Sequence, residues 1–202
     1  MNKKNLFWVV VFFVALGLGL YALTRTTTSS GTDQNNKTGG VGVECYGSTK
    51  YFVIQKSLAP SVGSDILVKY KTSTGDSFNC VYTVASGDFE IKNVEAEYFL
   101  TLTDNFLVLD QGTAPEPRGL VVYDLGSHKI AFTDSYAKPV VVTGDSITYL
   151  SKTAHKPTLQ NCPKLNEYVS NGLGAIVMSK VTVDLNTLVK SDLGTSECRA
   201  TQ

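Results

Sequence analysis

The feature that most constrains this chain is an unbroken apolar run from Leu6 to Leu23, preceded by Lys3 and Lys4. As a helix, a run of this length would extend about 27 Å, which matches the hydrocarbon thickness of a bilayer. A basic start followed by an apolar core is typical of both a membrane anchor and a cleaved signal peptide. The run therefore predicts membrane insertion, or export of the carboxy-terminal part of the chain.

The length of the run and the residues at its end favour a retained anchor. Signal peptides usually have a core of about 7–15 apolar residues and a small-x-small cleavage site. Here the core is longer, and residues 17–25 contain no Ala-x-Ala. The two lysines before the run outnumber Arg25 after it, so the positive-inside tendency predicts a cytoplasmic tail over residues 1–5. We expect a single-pass signal anchor over residues 6–23, with the carboxy-terminal part extracytoplasmic, either periplasmic or extracellular.

Residues 24–40 are predicted to form a flexible linker, because they are rich in Thr, Ser, Asn and Gly and lack apolar periodicity. Residues 41–202 are long enough to form one domain with its own core. The whole chain is neutral, but this domain is mildly acidic, with 14 basic and 17 acidic residues. Because it has no basic cluster to neutralise phosphates, we expect no nucleic-acid partner.

All four cysteines, Cys45, Cys80, Cys162 and Cys198, lie beyond the apolar run. An even number of cysteines in an exported domain indicates disulfide bonds, and four cysteines allow three connectivities. No two of them have the Cys-x₂₋₄-Cys spacing of a metal site. We favour the sequential pairing, in which Cys45 joins Cys80 and Cys162 joins Cys198. Each bond then closes a loop of about 35 residues near one end of the domain.

Short runs of β-branched and aromatic residues, separated by turn residues, predict an all-β domain. The predicted strands are Tyr51–Gln55, Ile66–Tyr70, Phe78–Val84, Tyr98–Leu102, Phe106–Asp110, Leu120–Leu125, Ile130–Thr133, Val140–Thr143, Ile147–Leu150, Ala175–Met178 and Lys180–Leu185. Residues 72–76 have the composition of a hairpin turn between the second and third of these. Residues 163–170 are predicted to form a helix, with a long loop as the alternative. We expect one compact β-domain, built as a meander, a sandwich or propeller-like sheets.

Residues 121–130 (VVYDLGSHKI) and 181–189 (VTVDLNTLV) share an apolar-x-apolar-Asp-Leu pattern followed by a small residue. The first segment resembles the outer hairpin of a β-propeller blade, and the resemblance covers about one blade, residues 98–150. It implies a β-meander in which Asp124 bonds the turn backbone while Leu125 faces packed sheet. Any β-hairpin with an aspartate in its turn explains the pattern equally well.

Residues 108–113 (VLDQGT) resemble the aspartic-protease signature, in which two apolar residues precede Asp-(Thr/Ser)-Gly-(Thr/Ser). The resemblance implies that Asp110 is a catalytic carboxylate and Gly112 the turn glycine, with a second copy of the motif supplying the partner carboxylate. Gln111 departs from the signature, and no second copy occurs, so activity would require a homodimer. A strand that ends in an Asp-x-Gly turn is the competing interpretation.

The loop at residues 113–119 (TAPEPRG) is a second candidate site. Pro115 and Pro117 stiffen it, and we expect Glu116 and Arg118 to project from it, since rigid loops on β-scaffolds often carry binding residues. A structural connection between strands is the alternative. The sequence contains no serine-hydrolase, phosphate-loop or calcium-loop motif, so we expect neither a cofactor nor a metal.

The organisation of the chain resembles that of small bacterial envelope proteins with one amino-terminal anchor. This resemblance implies a binding or structural module of the cell envelope, and the lack of a catalytic constellation favours a protein that is not an enzyme. We expect its partners to be the membrane, through the anchor helix, and an envelope protein or a surface ligand. Two alternatives remain open: a dimeric aspartic-type hydrolase that uses Asp110, and a protein inhibitor that presents the loop at 113–119.

Overall fold

A computed structural model describes residues 37–38, 42–73 and 75–202. Within these residues the fold is all-β, as the sequence predicts, with two antiparallel sheets and one short helix. The predicted cytoplasmic tail, signal anchor and most of the linker lie outside the described residues. In the described part of the chain, no helix is long and apolar enough to cross a membrane.

Sheet 1 is a meander in which neighbouring strands in space are also neighbours in sequence. Its strands are β1 (Lys37–Thr38), β2 (Val43–Gly47), β3 (Tyr51–Ser57), β4 (Ser64–Tyr70) and β5 (Phe89–Ile91). Apolar residues occupy both faces of the central strands, and the first four residues of β3 are all buried. Sheet 1 therefore needs cover on both of its faces.

Sheet 2 is a second meander, of seven strands. Its strands are β6 (Glu97–Leu102), β7 (Phe106–Gln111), β8 (Arg118–Asp124), β9 (Lys129–Thr143), β10 (Ser146–Lys152), β11 (Gly174–Asp184) and β12 (Val189–Thr201). The helix α1 (Leu165–Ser170) lies between β10 and β11.

Sheet 2 folds back on itself at β9. The first half of β9 pairs with β8 as far as Tyr136, and the second half pairs with β10 from Tyr136 onward. Strands β7 and β11 are four places apart in the sheet, about 19 Å if the sheet were flat. Nevertheless Phe106, which opens β7, and Asn186, which follows β11, line one cleft. Strand β9 is therefore a corner strand that turns one sheet into two stacked layers.

The domain core consists of two apolar interfaces between three layers. The layers are sheet 1, the first half of sheet 2 and the second half of sheet 2. Leu107 and Leu109 of β7 pack against Val53 and Ile66 of sheet 1. The alternate residues of β7 point the other way and pack against β10 and β11 across the fold of sheet 2. Strand β7 is consequently buried on both faces, as its continuous apolar run requires.

Each outer face of this stack is covered by a segment without strands, which a disulfide attaches to the sheet. Cys45 of β2 bonds Cys80, and Cys162 bonds Cys198 of β12, which is the sequential pairing that the sequence favours. The first segment places Phe78 against Phe52 of sheet 1, with ring centroids 5.6 Å apart. The second carries α1, which has no buried residues. The disulfides agree with an oxidising, extracytoplasmic compartment.

Over the residues that it describes, the structure lacks one predicted strand and has four strands that the sequence does not predict, β1, β2, β5 and β12. The predicted strand at 78–84 is wrong, because Phe78 and Tyr82 pack side-on over sheet 1 and β4 pairs with β5 instead. Strand β12 has no counterpart among the predicted strands, since its first nine residues are exposed and lack apolar alternation. The remaining predicted strands are present, although pairs of them merge into β9 and β11, and the predicted helix is α1.

The two Asp-Leu segments form equivalent turns. In the first, the Ser127 amide donates to Asp124, and the Leu125 amide donates to the Asn105 carbonyl. In the second, the Thr187 amide donates to Asp184, and the Leu185 amide donates to the Asp145 carbonyl in the β9–β10 turn. Both leucines are buried. The two halves of sheet 2 are therefore repeated meanders that end in matching hairpins.

Candidate binding site

Asp110 lies in β7 and is only 7% exposed. Its carboxylate accepts a hydrogen bond from Arg118 Nε at 2.6 Å, and Arg118 also donates to the Ala114 carbonyl. Two residues that the sequence placed in separate candidate sites thus form one ion pair. Gly112, at φ +109°, adopts a conformation that favours glycine where the chain leaves β7.

The pairing of Asp110 bears on the hydrolase hypothesis. An aspartic-protease site requires a second carboxylate that shares a proton with the first. In this domain the hydrogen-bond partner of Asp110 is a guanidinium, and that bond raises the pKa of Arg118. Asp110 is therefore arranged as half of a buried salt bridge, which orients the loop after β7.

Tyr136, from the corner of β9, completes this cluster. The side chain is fully buried, and its hydroxyl lies beside the pair of Asp110 and Arg118. Burial, followed by a hydrogen bond to Asp110, raises the pKa of Tyr136. Tyr136 therefore supports the pair of Asp110 and Arg118 from the interior of the domain.

The loop at 113–119 is held at its carboxy-terminal end and in its middle. Arg118 fixes its carboxy-terminal end through the pair with Asp110. Glu116 accepts from the Lys138 amide at 3.1 Å and from Arg199 Nη1 at 2.7 Å, so β9 and β12 fix its middle. Pro117 is half-buried beside Glu116, whereas Pro115 is exposed at the tip. The predicted projection of Glu116 and Arg118 is wrong, because both side chains fold inward.

A cleft of about 510 Å³ opens beside this loop. We call it the loop cleft, and it is lined by Val62, Tyr98, Phe99, Leu100, Asp110, Thr113, Arg118 and Lys138. Its surface is a mixture of polar and apolar groups, and the Arg118 guanidinium lies 5.7 Å from the centre of the Tyr98 ring. Since Arg118 is already neutralised by Asp110, the uncompensated charge among these lining residues is the ammonium group of Lys138.

A second cleft, of about 490 Å³, lies at the other end of β7. We call it the turn cleft, and it is lined by Lys50, Tyr51, Tyr70, Asp104, Asn105, Phe106, Asp124, Gly126 and Asn186. These residues come from the β2–β3, β6–β7, β8–β9 and β11–β12 turns and from the ends of adjoining strands. No sequence motif points to this site, because it is assembled from turns far apart in the chain.

One further cluster resembles a catalytic serine–lysine pair but is part of a partly buried ion-pair network. Lys190 Nζ donates to Ser151 Oγ at 2.8 Å, which is the contact of a serine–lysine dyad. The same ammonium is paired with Asp134, which also accepts from Tyr149 and Ser151. Burial raises the pKa of Asp134, but these hydrogen bonds outweigh it and lower the pKa overall. Ser151 is buried, so the network ties the layers together and offers no accessible nucleophile.

Across residues 37–38, 42–73 and 75–202, no group of three or more His, Cys, Asp or Glu side chains could hold a metal ion. Comparison of the chain with protein-family models, curated proteins and solved structures found no match.

Proposed function

We propose that this protein is a membrane-anchored, extracytoplasmic binding module of the cell envelope, and that it holds a protein partner in the loop cleft. The observation that carries the proposal is the construction of that cleft. A loop fixed by two ion pairs stands beside the Tyr98 ring, with an uncompensated charge at Lys138. Pre-formed clefts that combine apolar surface with a few placed polar groups are typical of ligand binding.

The chemistry of the cleft indicates what the partner presents. An apolar side chain can contact Tyr98 and Leu100, while a carboxylate meets Lys138. Val62, 56% exposed at the rim, extends the apolar surface. We therefore infer a partner segment with an acidic residue next to a large apolar one.

The anchor rests on the apolar run at 6–23 and on the two disulfides of the domain, which favour an oxidising compartment. Alkaline extraction of native membranes, followed by mass spectrometry of the amino terminus, tests this part. We expect the chain to stay in the membrane pellet with residues 1–23 retained. A soluble chain that starts near Thr26 would contradict the anchor.

Site-specific photo-cross-linking tests the partner. A photoreactive amino acid replaces Val62 in the full chain, expressed in its native envelope. We expect one discrete adduct, which disappears in Lys138→Glu. It should persist in Lys129→Glu, which reverses an exposed charge outside the cleft. An adduct that survives Lys138→Glu would contradict binding at the loop cleft.

A protein inhibitor is the second candidate, because the exposed tip at Thr113–Pro115 projects from a loop whose middle and carboxy-terminal end are fixed. An inhibitor loop enters the partner, so cross-linking from Ala114 should then exceed cross-linking from Val62. The hydrolase hypothesis has less support, since Arg118 occupies the place where a second carboxylate is needed.

A further inference from the structure

The turn cleft combines one exposed aromatic ring with polar groups that come from separate turns. Tyr70, the last residue of β4, is 60% exposed. Its ring meets Tyr51 edge-on, with centroids 5.6 Å apart and an angle of 68° between the planes. Tyr51 is buried beneath it and supports it. The ring is thus held in place while most of its surface remains open to solvent.

The aspartates around this ring are rigid acceptors. Asp104 accepts from the amides of Thr49 and Lys50 and from the Thr49 hydroxyl. Asp124 accepts from the Ser127 amide at 2.6 Å. Each carboxylate can accept about four hydrogen bonds, so Asp124 retains capacity for a ligand. Because the turns fix both groups, their positions need no reorganisation when a ligand arrives.

Donors complete the set. Lys50 brings an ammonium group and Asn105 brings an amide that both donates and accepts. Asn186 reaches the cleft from the second Asp-Leu turn, where its amide is fixed by Asp145. Hydroxyl groups also both donate and accept, so a polyhydroxylated ligand can satisfy such a mixed set. A phosphate would instead meet the repulsion of Asp104 and Asp124.

We propose that the turn cleft binds a neutral saccharide, with the C–H face of one sugar ring stacked on Tyr70 and its hydroxyls bonded to Asn105, Asp124 and Lys50. The aromatic face carries negative quadrupole charge and attracts polarised C–H groups. The polar groups fix the orientation of the ring and select for hydroxyls. This site is independent of the loop cleft and does not rest on the function proposed for it.

The site binds sugar without cleaving it. A glycosidase requires one carboxyl group that stays protonated, with a raised pKa, beside an ionised one. At Asp104, burial raises the pKa, but hydrogen bonds from Thr49, Ser48 and Lys50 lower it overall. At Asp124, the bonds from Ser127 lower the pKa. Both carboxyls are therefore ionised at neutral pH, and neither can act as the general acid.

A glycan array tests the proposal with the full chain in detergent micelles. The probes are defined neutral oligosaccharides, printed beside sialylated and phosphorylated ones. We expect retention on neutral probes, reduced at least about tenfold in Tyr70→Ala, which removes the platform. Tyr70→Phe keeps the ring and should bind within about twofold of the wild type. Asn105→Ala, which removes a polar contact and leaves the ring, should weaken binding severalfold.

Lys138→Glu is the matched control, because it alters the loop cleft and should leave sugar binding unchanged. Thermal melts of every variant confirm folding. The proposal fails if no neutral glycan is retained, if binding is confined to acidic or phosphorylated probes, or if Tyr70→Ala binds as the wild type does. None of these outcomes depends on whether the loop cleft holds a protein.

Discussion

The loop cleft and the turn cleft lie at opposite ends of β7, and different forces hold them in shape. At the loop end, ion pairs between side chains fix the chain: Asp110 with Arg118, and Glu116 with Arg199. At the turn end, aspartates accept hydrogen bonds from backbone amides, as Asp124 does from Ser127. The first arrangement depends on paired charges, and the second on neutral donors.

This difference predicts how each end responds to change. A buried ion pair is costly to break, because removing one partner leaves an uncompensated charge. A turn held by several hydrogen bonds loses them one at a time, each contributing about 1 kcal/mol. We therefore expect the loop end to be sensitive to single substitutions and to salt, and the turn end to be sensitive to acid.

The largest effect is expected for Arg118→Met. The side chains of Arg118 and Asp110 are mostly buried, so the change should lower the free energy of unfolding by about 3 kcal/mol. Urea unfolding at neutral pH measures it. Lys92→Met is the control, since Lys92 pairs with Asp65 and Glu90 while largely exposed, and its loss should be clearly smaller than that of Arg118→Met. Equal losses in the two variants would contradict the importance assigned to the buried pair.

A smaller effect is expected at the turn end. Asp124→Ala removes the acceptor for Ser127, and the free energy of unfolding should fall by about 1–2 kcal/mol. Glu95→Ala, at an exposed position outside both clefts, serves as the comparison and should stay within about 0.5 kcal/mol of the wild type. Should Asp124→Ala cost as much as Arg118→Met, the two ends would not differ as described.

The pH dependence distinguishes the two ends further. The pKa values of Asp104 and Asp124 are lowered in the folded domain, so both carboxylates stabilise it above about pH 4, their ordinary pKa when unfolded. That stabilisation is lost as the pH falls through the folded pKa values. The double variant Asp104→Asn, Asp124→Asn should be less stable than the wild type at pH 7, and the gap should narrow between about pH 5 and pH 2. A gap that stays constant would show that these carboxylates do not control acid stability.

The smallest effect concerns the outer ion pair of the loop end. Glu116→Gln keeps an oxygen that can accept from the Lys138 amide but removes the charge opposite Arg199, which is partly exposed. We expect a loss below about 1 kcal/mol in low salt, shrinking further in about 1 M NaCl because salt screens exposed pairs. A loss that is independent of salt would mean that Glu116 acts through its shape alone.

Much of the fold could be predicted from local patterns. Buried strands such as β7 show continuous apolar runs, and Asp124 and Asp184 mark the two Asp-Leu turns. The sequential disulfide pairing could be favoured from spacing alone. The exceptions are elements whose apolar and polar side chains do not alternate as they do in a half-buried strand. Phe78 and Tyr82 resemble a strand but serve as cover, and β12 is a polar edge strand that depends on its neighbour β11.

The candidate sites could be predicted only in part. Asp110 and Arg118 can each be recognised in the sequence as a candidate. Their pairing cannot, because it depends on the register between β7 and β8. Lys138 reaches the loop cleft through the bend in β9, and a linear pattern does not reveal such a bend. The turn cleft has no linear signature because Tyr70 and Asn105 meet only after the layers stack.

Cross-linking from position 62 of the full chain in its native envelope tests the central claim most directly, with Lys138→Glu and Tyr70→Ala compared side by side. Lys138 lines the loop cleft and Tyr70 the turn cleft. If the loop cleft holds the protein partner by itself, the adduct disappears in Lys138→Glu and persists in Tyr70→Ala. An adduct that survives Lys138→Glu, or that is lost equally in both variants, would contradict this account.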